Sequence, residues 1–263
     1  MLGETLRNSS RTLATLAIGV TAGAMVAGGG FALADTSAPR TDKQITNMTT
    51  EVANIEAYYG DTVDANGEHW PSPSSNYAIQ VHGIEAQAER YLGDQARHGY
   101  GYGARQAIVL DVDDTSLSTY NYELETTFVY SPASNAQYIA TRTMPAVFGM
   151  NDLAQWAQKQ GYTVFYITGR PESQRVYTAD NLAAVGFPAA TSTNLFMKNA
   201  AAPPSYLPCG ATCTTDQYKA DTREHIESLG YTIVGNFGDQ YSDLSGGYAE
   251  KDFKIPNPMY YLP

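Results

Sequence analysis

Two carboxylates stand two residues apart in Asp111-Val112-Asp113-Asp114-Thr115, directly after the apolar run Ala107-Ile108-Val109-Leu110. On an extended strand end, an i, i+2 pair projects to the same side of the backbone. One carboxylate of such a pair can attack phosphorus and split a hard displacement into two easier steps. The other can protonate the departing alkoxide and later deprotonate water. Two further segments carry compatible groups, Thr168-Gly169-Arg170 and Gly238-Asp239-Gln240-Tyr241-Ser242-Asp243. A hydroxyl such as Thr168 can bind a phosphoryl oxygen, and a lysine can neutralise transition-state charge. Gathering Asp111, Asp113, Asp239 and Asp243 at one place is costly unless a cation joins them. Mg²⁺ takes oxygen ligands and keeps waters plus a substrate phosphate, so it is the expected ion.

Those side chains need strands that end together. Ala107 to Leu110, Tyr162 to Ile167 and Thr232 to Val234 are short apolar runs, as expected for strands buried on both faces. Leu195-Phe196-Met197 is a fourth candidate. Helical stretches alternate with them at Asp152 to Gln160, Pro171 to Val185 and Asp221 to Leu229, each followed by a glycine. The alternation predicts an α/β fold, a Rossmann-like parallel sheet with helices on both faces. Ligands of such sheets bind beyond the C-terminal strand ends.

Upstream, Ile45, Met48, Val52, Ile55 and Tyr59 recur at helical spacing. Tyr77, Val81, Ile84, Ala88 and Tyr91 do the same after a turn-rich stretch from Gly60 to Ser75. The expected organisation is a helical extension over 35–105 and a catalytic core over 106–263, with a small insertion at about 116–160. Fifty-six residues separate Asp111 from Thr168, too few for a large independent cap. Tyr120, Tyr122, Phe128, Tyr130 and Tyr138 lie in that interval. They either stack a substrate ring or pack the insertion on the core.

The formal net charge of −11 offers no basic footprint for a nucleic acid polymer. An anionic substrate must therefore be held by local positive charge. Residues 1–34 read as a signal peptide: Arg7 and Arg11 precede an apolar run from Leu13 to Phe31, which ends in Ala32-Leu33-Ala34. Cleavage near Ala34 would yield a secreted protein with no stable membrane anchor. Cys209 and Cys213 are the two cysteines, and in an exported chain so close a pair reads as a disulfide.

The segments DVDDT, ITGR and GDQYSD resemble three motifs of the haloacid-dehalogenase superfamily. The longer stretches AIVLDVDDTSLSTYNYE, YKADTREHIESLGYTIVGNFGDQYSDL and FKIPNPMYY resemble the class B/plant-type secreted acid phosphatases. The resemblance implies Mg²⁺-dependent hydrolysis of small-molecule phosphomonoesters through an aspartyl-phosphate. It implies Asp111 as nucleophile, Asp113 as acid/base and Thr168 as a phosphate-binding hydroxyl. Asp239 would bind the metal with the Asp111 carboxylate and the Asp113 backbone carbonyl. Asp243 would act on a metal-bound water or on the lysine.

Two lysines compete for the remaining motif, and the spacing favours Lys219 over Lys198 for contact with substrate phosphate. Gly169 and Arg170 complete the substrate-binding set, although Arg170 is equally suited to a salt bridge with the acids. Asp114 has no family role and reads as a solvated residue or a support to its neighbours. His69, His82, His98 and His225 stand alone on polar stretches and read as non-catalytic, and Glu172 with Arg175 reads as a surface pair. Two alternatives remain. One is a 5′-nucleotidase-type phosphatase. The other is a non-enzymatic storage or binding relative, whose members typically lack the nucleophilic aspartate present here as Asp111. A dehalogenase is disfavoured, because such enzymes lack the acid/base.

Overall fold

The computed structural model describes residues 47–98 and 105–262. The expected leader and Ile45 lie outside the described residues. Helix α1 (Met48–Tyr59) is followed by a two-stranded hairpin, β1 (Thr62–Val63) with β2 (His69–Trp70), inside the stretch read as turns. Then come α2 (Asn76–His98), β3 (Arg105–Leu110), α3 (Tyr120–Glu125), α4 (Pro132–Thr141) and α5 (Met150–Lys159). The remaining elements are β4 (Thr163–Pro171), α6 (Arg175–Ala184), β5 (Leu195–Lys198), α7 (Thr215–Ser228), β6 (Tyr231–Gly238), α8 (Tyr241–Leu244) and β7 (Asp252–Lys254).

The main sheet has five parallel strands in the order β5-β4-β3-β6-β7, with β3 at its centre. Strand periodicity explains why the apolar run of β3 is continuous. Ile108 and Leu110 enter one core with Val164, Tyr166 and Val234, while Ala107 and Val109 enter another with Phe165, Ile167 and Ile233. The first core is closed by Leu92 of α2 and by Leu153 and Ala157 of α5. The second is closed by Tyr218 and Ile226 of α7. Helices on both faces therefore leave no polar side for the central strand.

Register decides where the chemistry gathers. Leu110 pairs with Tyr166 on β4 and with Phe237 on β6. The next residues along the three strands are Asp111, the Ile167-Thr168 step and the Gly238-Asp239 step, so all reach the same edge.

Besides the hairpin and the short helices α3, α4 and α8, three elements differ from the sequence expectation. The helix expected from Pro171 starts at Arg175, because β4 continues through Pro171 and a 3₁₀ turn covers Glu172–Gln174. Arg170 is held in the extended strand by its side-chain bonds, described below. The helix expected from Asp221 starts at Thr215, where Thr214 and Gln217 form a reciprocal capping box. That earlier start places Lys219 inside α7. Strand β7 was not expected, and at three residues it is too short to show alternation.

Candidate active site

Asp111 is 6% exposed and firmly placed. Its N–H donates to the Phe237 carbonyl at 3.0 Å, and its own carbonyl accepts from Ser116 Oγ at 2.6 Å. Its carboxylate Oδ1 accepts from Lys219 Nζ. Among the described residues, its Oδ2 receives no hydrogen bond. Lys219 also donates to Asp243 Oδ1, so one buried ammonium bridges two carboxylates. Burial opposes its charge, but Asp111 and Asp243 outweigh burial and hold Lys219 above the usual lysine range. Lys198, the competing candidate, instead approaches Thr215 Oγ1 at 3.4 Å and lies over the Tyr218 ring. The geometry joins Lys219, and not Lys198, to Asp111.

Asp243 is fixed from its other side by the Gln240 N–H at 2.8 Å, which makes it the last member of a second capping box. Its carbonyl accepts from buried Arg223 at 2.6 Å, and Arg223 also grips the carbonyls of Ser245 and Gly247. Gly238 is required here by close approach: a Cβ at that position would lie 2.3 Å from Asp243 Cβ. Gly238→Ala is therefore expected to cost about 1–3 kcal/mol by overpacking. It is also expected to lower turnover by moving Asp243 off Lys219. Thermal denaturation beside steady-state kinetics checks both effects.

Asp239 is 2% exposed and accepts from Thr115 Oγ1 (3.1 Å), Gln240 Nε2 (2.7 Å) and Asn257 Nδ2 (2.8 Å). Asn257 belongs to the FKIPNPMYY segment, whose Tyr260 also donates to Asp114 at 2.8 Å. Asp114 is not solvated: it is 1% exposed, at φ +53°, and accepts two bonds from Thr119. Its carboxylate pins the loop after β3 to the end of the chain. The left-handed backbone accompanies the burial, with the side chain turned inward onto Thr119 and Tyr260.

Carboxylate oxygens of Asp111, Asp239 and Asp243 lie within 4.8 Å of one another. Burial, and then neighbouring negative charge, pushes Asp111 well above the ordinary carboxylate range despite Lys219. Burial and Asp243 likewise raise Asp239 to about 6, against the bonds from Asn257 and Gln240 and the charge of Lys219. Three buried acids with one ammonium leave an excess of negative charge, and every donor is oxygen. This set fits a hard divalent cation.

Thr168 is fully buried, and its Oγ1 accepts from the Arg170 N–H at 3.1 Å. Gly169 is exposed. Arg170 is buried and grips Asp113 with two nitrogens, Nε at 3.0 Å and Nη2 at 2.6 Å. Its Nη1 donates to Thr178 Oγ1 at 3.0 Å. The salt bridge, one of the two roles open to Arg170, is present. Asp113 keeps a side chain 30% exposed, so its other surface faces solvent.

The remaining candidates settle elsewhere. His69 pairs with Asp61, His82 with Glu85, and His225 stacks on Tyr206. The side chain of His98 lies outside the described residues. Glu172 and Arg175 form the expected pair, and Arg175 also donates to the Leu195 carbonyl. Tyr120 and Tyr122 are buried against Tyr59 and Tyr138, while Phe128 packs on the core. Tyr130, 64% exposed, is the one of the five insertion aromatics left open to solvent. Cys209 and Cys213 form the disulfide, well away in sequence from the acids.

A parallel sheet with helices on both faces, ending in this acid cluster, defines a haloacid-dehalogenase-type α/β protein. The family model "HAD superfamily, subfamily IIIB (Acid phosphatase)" matches residues 32–263, and the chain belongs to that family. It is similar to acid phosphatase 1 of Solanum lycopersicum, 32% identical over 195 residues, 71% of this chain and 69% of the relative. It is also similar to vegetative storage protein 1 of Arabidopsis thaliana, 30% identical over 226 residues, 83% of this chain and 74% of the relative. Among solved structures, a class C acid phosphatase from Bacillus anthracis with tungstate bound shares the fold. The TM-score is 0.61 at 20% identity, covering 82% of this chain and 87% of that one.

Sequence reasoning used Arg223 only as part of the pattern around Lys219 and gave no role to Thr115, Asn257 and Tyr260. The signal for Asn257 and Tyr260 was present in the quoted FKIPNPMYY segment, but the resemblance assigned no role to its individual residues.

Proposed function

We propose that this chain is an exported, Mg²⁺-dependent phosphatase that hydrolyses small phosphomonoesters through a phosphorylated Asp111. The carrying observation is the state of the Asp111 carboxylate, with one oxygen held by Lys219 and the other uncommitted among the described residues, in a buried cluster of acids. The uncommitted oxygen attacks phosphorus, the ester bond breaks, and the phosphoryl group passes to Asp111. Asp113, aimed by Arg170, gives its proton to the departing alkoxide. It then takes a proton from the water that hydrolyses the aspartyl-phosphate. Lys219 and Thr168 offset charge on the phosphoryl oxygens.

Asp111, Asp239 and the Asp113 carbonyl would hold the metal, with Asp243 supporting Lys219. When bound, the ion supplies charge neutralisation at the phosphoryl group. Retention of Asp111 and Asp113 supports the enzymatic reading over storage. Export rests on the leader pattern of residues 1–34, and among the described residues no helix is long and apolar enough to cross a membrane. A screen of phosphate esters with Mg²⁺ or with chelator tests the reading. No hydrolysis of any ester with Mg²⁺ would overturn it.

Arg170 supplies a separable prediction. Arg170→Leu leaves the nucleophile intact but frees Asp113. Acid/base catalysis contributes roughly 10²–10⁴-fold. Turnover of alkyl phosphates is expected to fall by about 10²-fold, and of an activated aryl phosphate by far less. Equal losses on both would show that Arg170 does not act through Asp113.

A further inference from the structure

Helix α3 carries two glutamates on opposite sides. Glu125 accepts from Asn121 at 3.2 Å and lies 3.5 Å from Arg142. Glu123 is 7% exposed, and its carboxyl has no hydrogen bond or ion pair among the described residues. Burying an unpaired carboxyl is unfavourable, so its retention needs another cause. Its oxygens are not fully sealed from solvent. They retain a narrow path to solvent.

Asp113 is the charge that bears on Glu123, and burial together with that charge raises the Glu123 carboxyl to about 7. Asp113 also bears on the exposed Tyr130 beyond α3. Helix α3 follows directly on Thr119, which is bonded to Asp114, so the loop that carries Asp113 leads straight into the helix that carries Glu123. In the proposed reaction the alcohol departs on the open side of Asp113.

We propose that Glu123 is a specificity-determining residue that accepts a hydrogen bond from a donor on the leaving group, a hydroxyl or an ammonium. The assignment rests on the phosphatase reading and deepens it. A leaving group that supplies the donor satisfies the one buried carboxyl left unpaired among the described residues. A leaving group that lacks a donor leaves it stranded. Sites built around such a group discriminate strongly against the analogue without it.

The test uses Glu123→Leu and Glu123→Gln in the Mg²⁺-loaded enzyme, with glycerol phosphate, phosphoethanolamine and phenyl phosphate. One hydrogen bond to a charged or buried partner corresponds to about ten- to a hundredfold in selectivity. In Glu123→Leu, the ratio of kcat/KM for a donor-bearing ester to that for phenyl phosphate is expected to fall by that factor. Glu123→Gln, whose amide still accepts, is expected to restore the glycerol phosphate ratio substantially. A loss confined to glycerol phosphate assigns a hydroxyl, and a loss confined to phosphoethanolamine assigns an ammonium.

Melting adds a readout that a structural role would not give. Removing an unpaired buried carboxyl is expected to raise the melting temperature of Glu123→Leu at pH 7. If Glu123→Leu slows all three esters by one factor, or leaves the ratios unchanged, the assignment is wrong. An inert wild type would instead overturn the phosphatase reading, and the assignment with it.

Discussion

Asp111→Asn is expected to lower kcat by at least about 10⁴-fold, with the fold retained. Phosphate monoesters are among the slowest substrates to react in water, with enzymatic accelerations of up to ~10²¹. Removing a nucleophile that acts as one unit with its partners has cost on the order of 10⁶-fold elsewhere. The amide keeps the shape but cannot form an acyl-phosphate. It also removes one of three clustered acids, while Lys219 keeps Asp243 as a partner. Because burial and neighbouring acids disfavour the charge of Asp111, metal-free Asp111→Asn is expected to melt no lower than wild type at pH 7. A dead variant with an intact melting transition assigns the loss to chemistry.

Asp113→Asn separates the two steps. An activated aryl ester needs little protonation on departure, so phosphoryl transfer to Asp111 can still proceed. Hydrolysis of the aspartyl-phosphate then lacks its base. Rapid mixing is expected to show a burst of about one equivalent followed by a stall. Near-wild-type turnover of Asp111→Asn would sink the mechanism, and another group would have to be the nucleophile.

The sheet and the acids were legible because each depends on local pattern. Four apolar runs marked the three inner strands and the edge strand β5, and the strand ends at Asp111, Thr168 and Asp239 marked the edge where the site lies. What escaped depends on contacts distant in sequence. Asn257 and Tyr260 reach back to Asp239 and Asp114 across 18 and 146 positions. No spacing rule predicts such partners. Asp114 stayed open between a solvated residue and a support to its neighbours, because its φ is set by the loop closing on Thr119 and Leu117. Glu123 was invisible for a similar reason. Sequence gives two glutamates on a short helix, but only packing shows that Glu125 has a cation beside it and that Glu123 has none among the described residues. The early start of α7 was readable in Thr214-x-x-Gln217, a capping box hidden by its polar surroundings.

Removing the metal is expected to abolish activity and to leave a pH signature in stability. In the metal-free protein Asp239 titrates at about 6, raised by burial and then by Asp243. The unfolded chain releases that proton nearer pH 4. Between these values the folded state binds more protons than the unfolded state, so stability falls as pH rises from about 4 to about 6. A shift of about two units corresponds to about 3 kcal/mol, and Asp111 adds to it in the same direction. Above pH 6 the loss from Asp239 is complete. A divalent cation needs ionised ligands, so protons compete with it. Its affinity is expected to weaken by about tenfold for each pH unit below 6, per proton displaced. Calorimetric melting with saturating Mg²⁺ or with chelator, at pH 5 and at pH 7, checks the sign. The gain in melting temperature from Mg²⁺ should be clearly larger at pH 7. A gain that is equal at both values, or activity that survives exhaustive chelation, would show that Asp111, Asp239 and Asp243 do not gather around a cation.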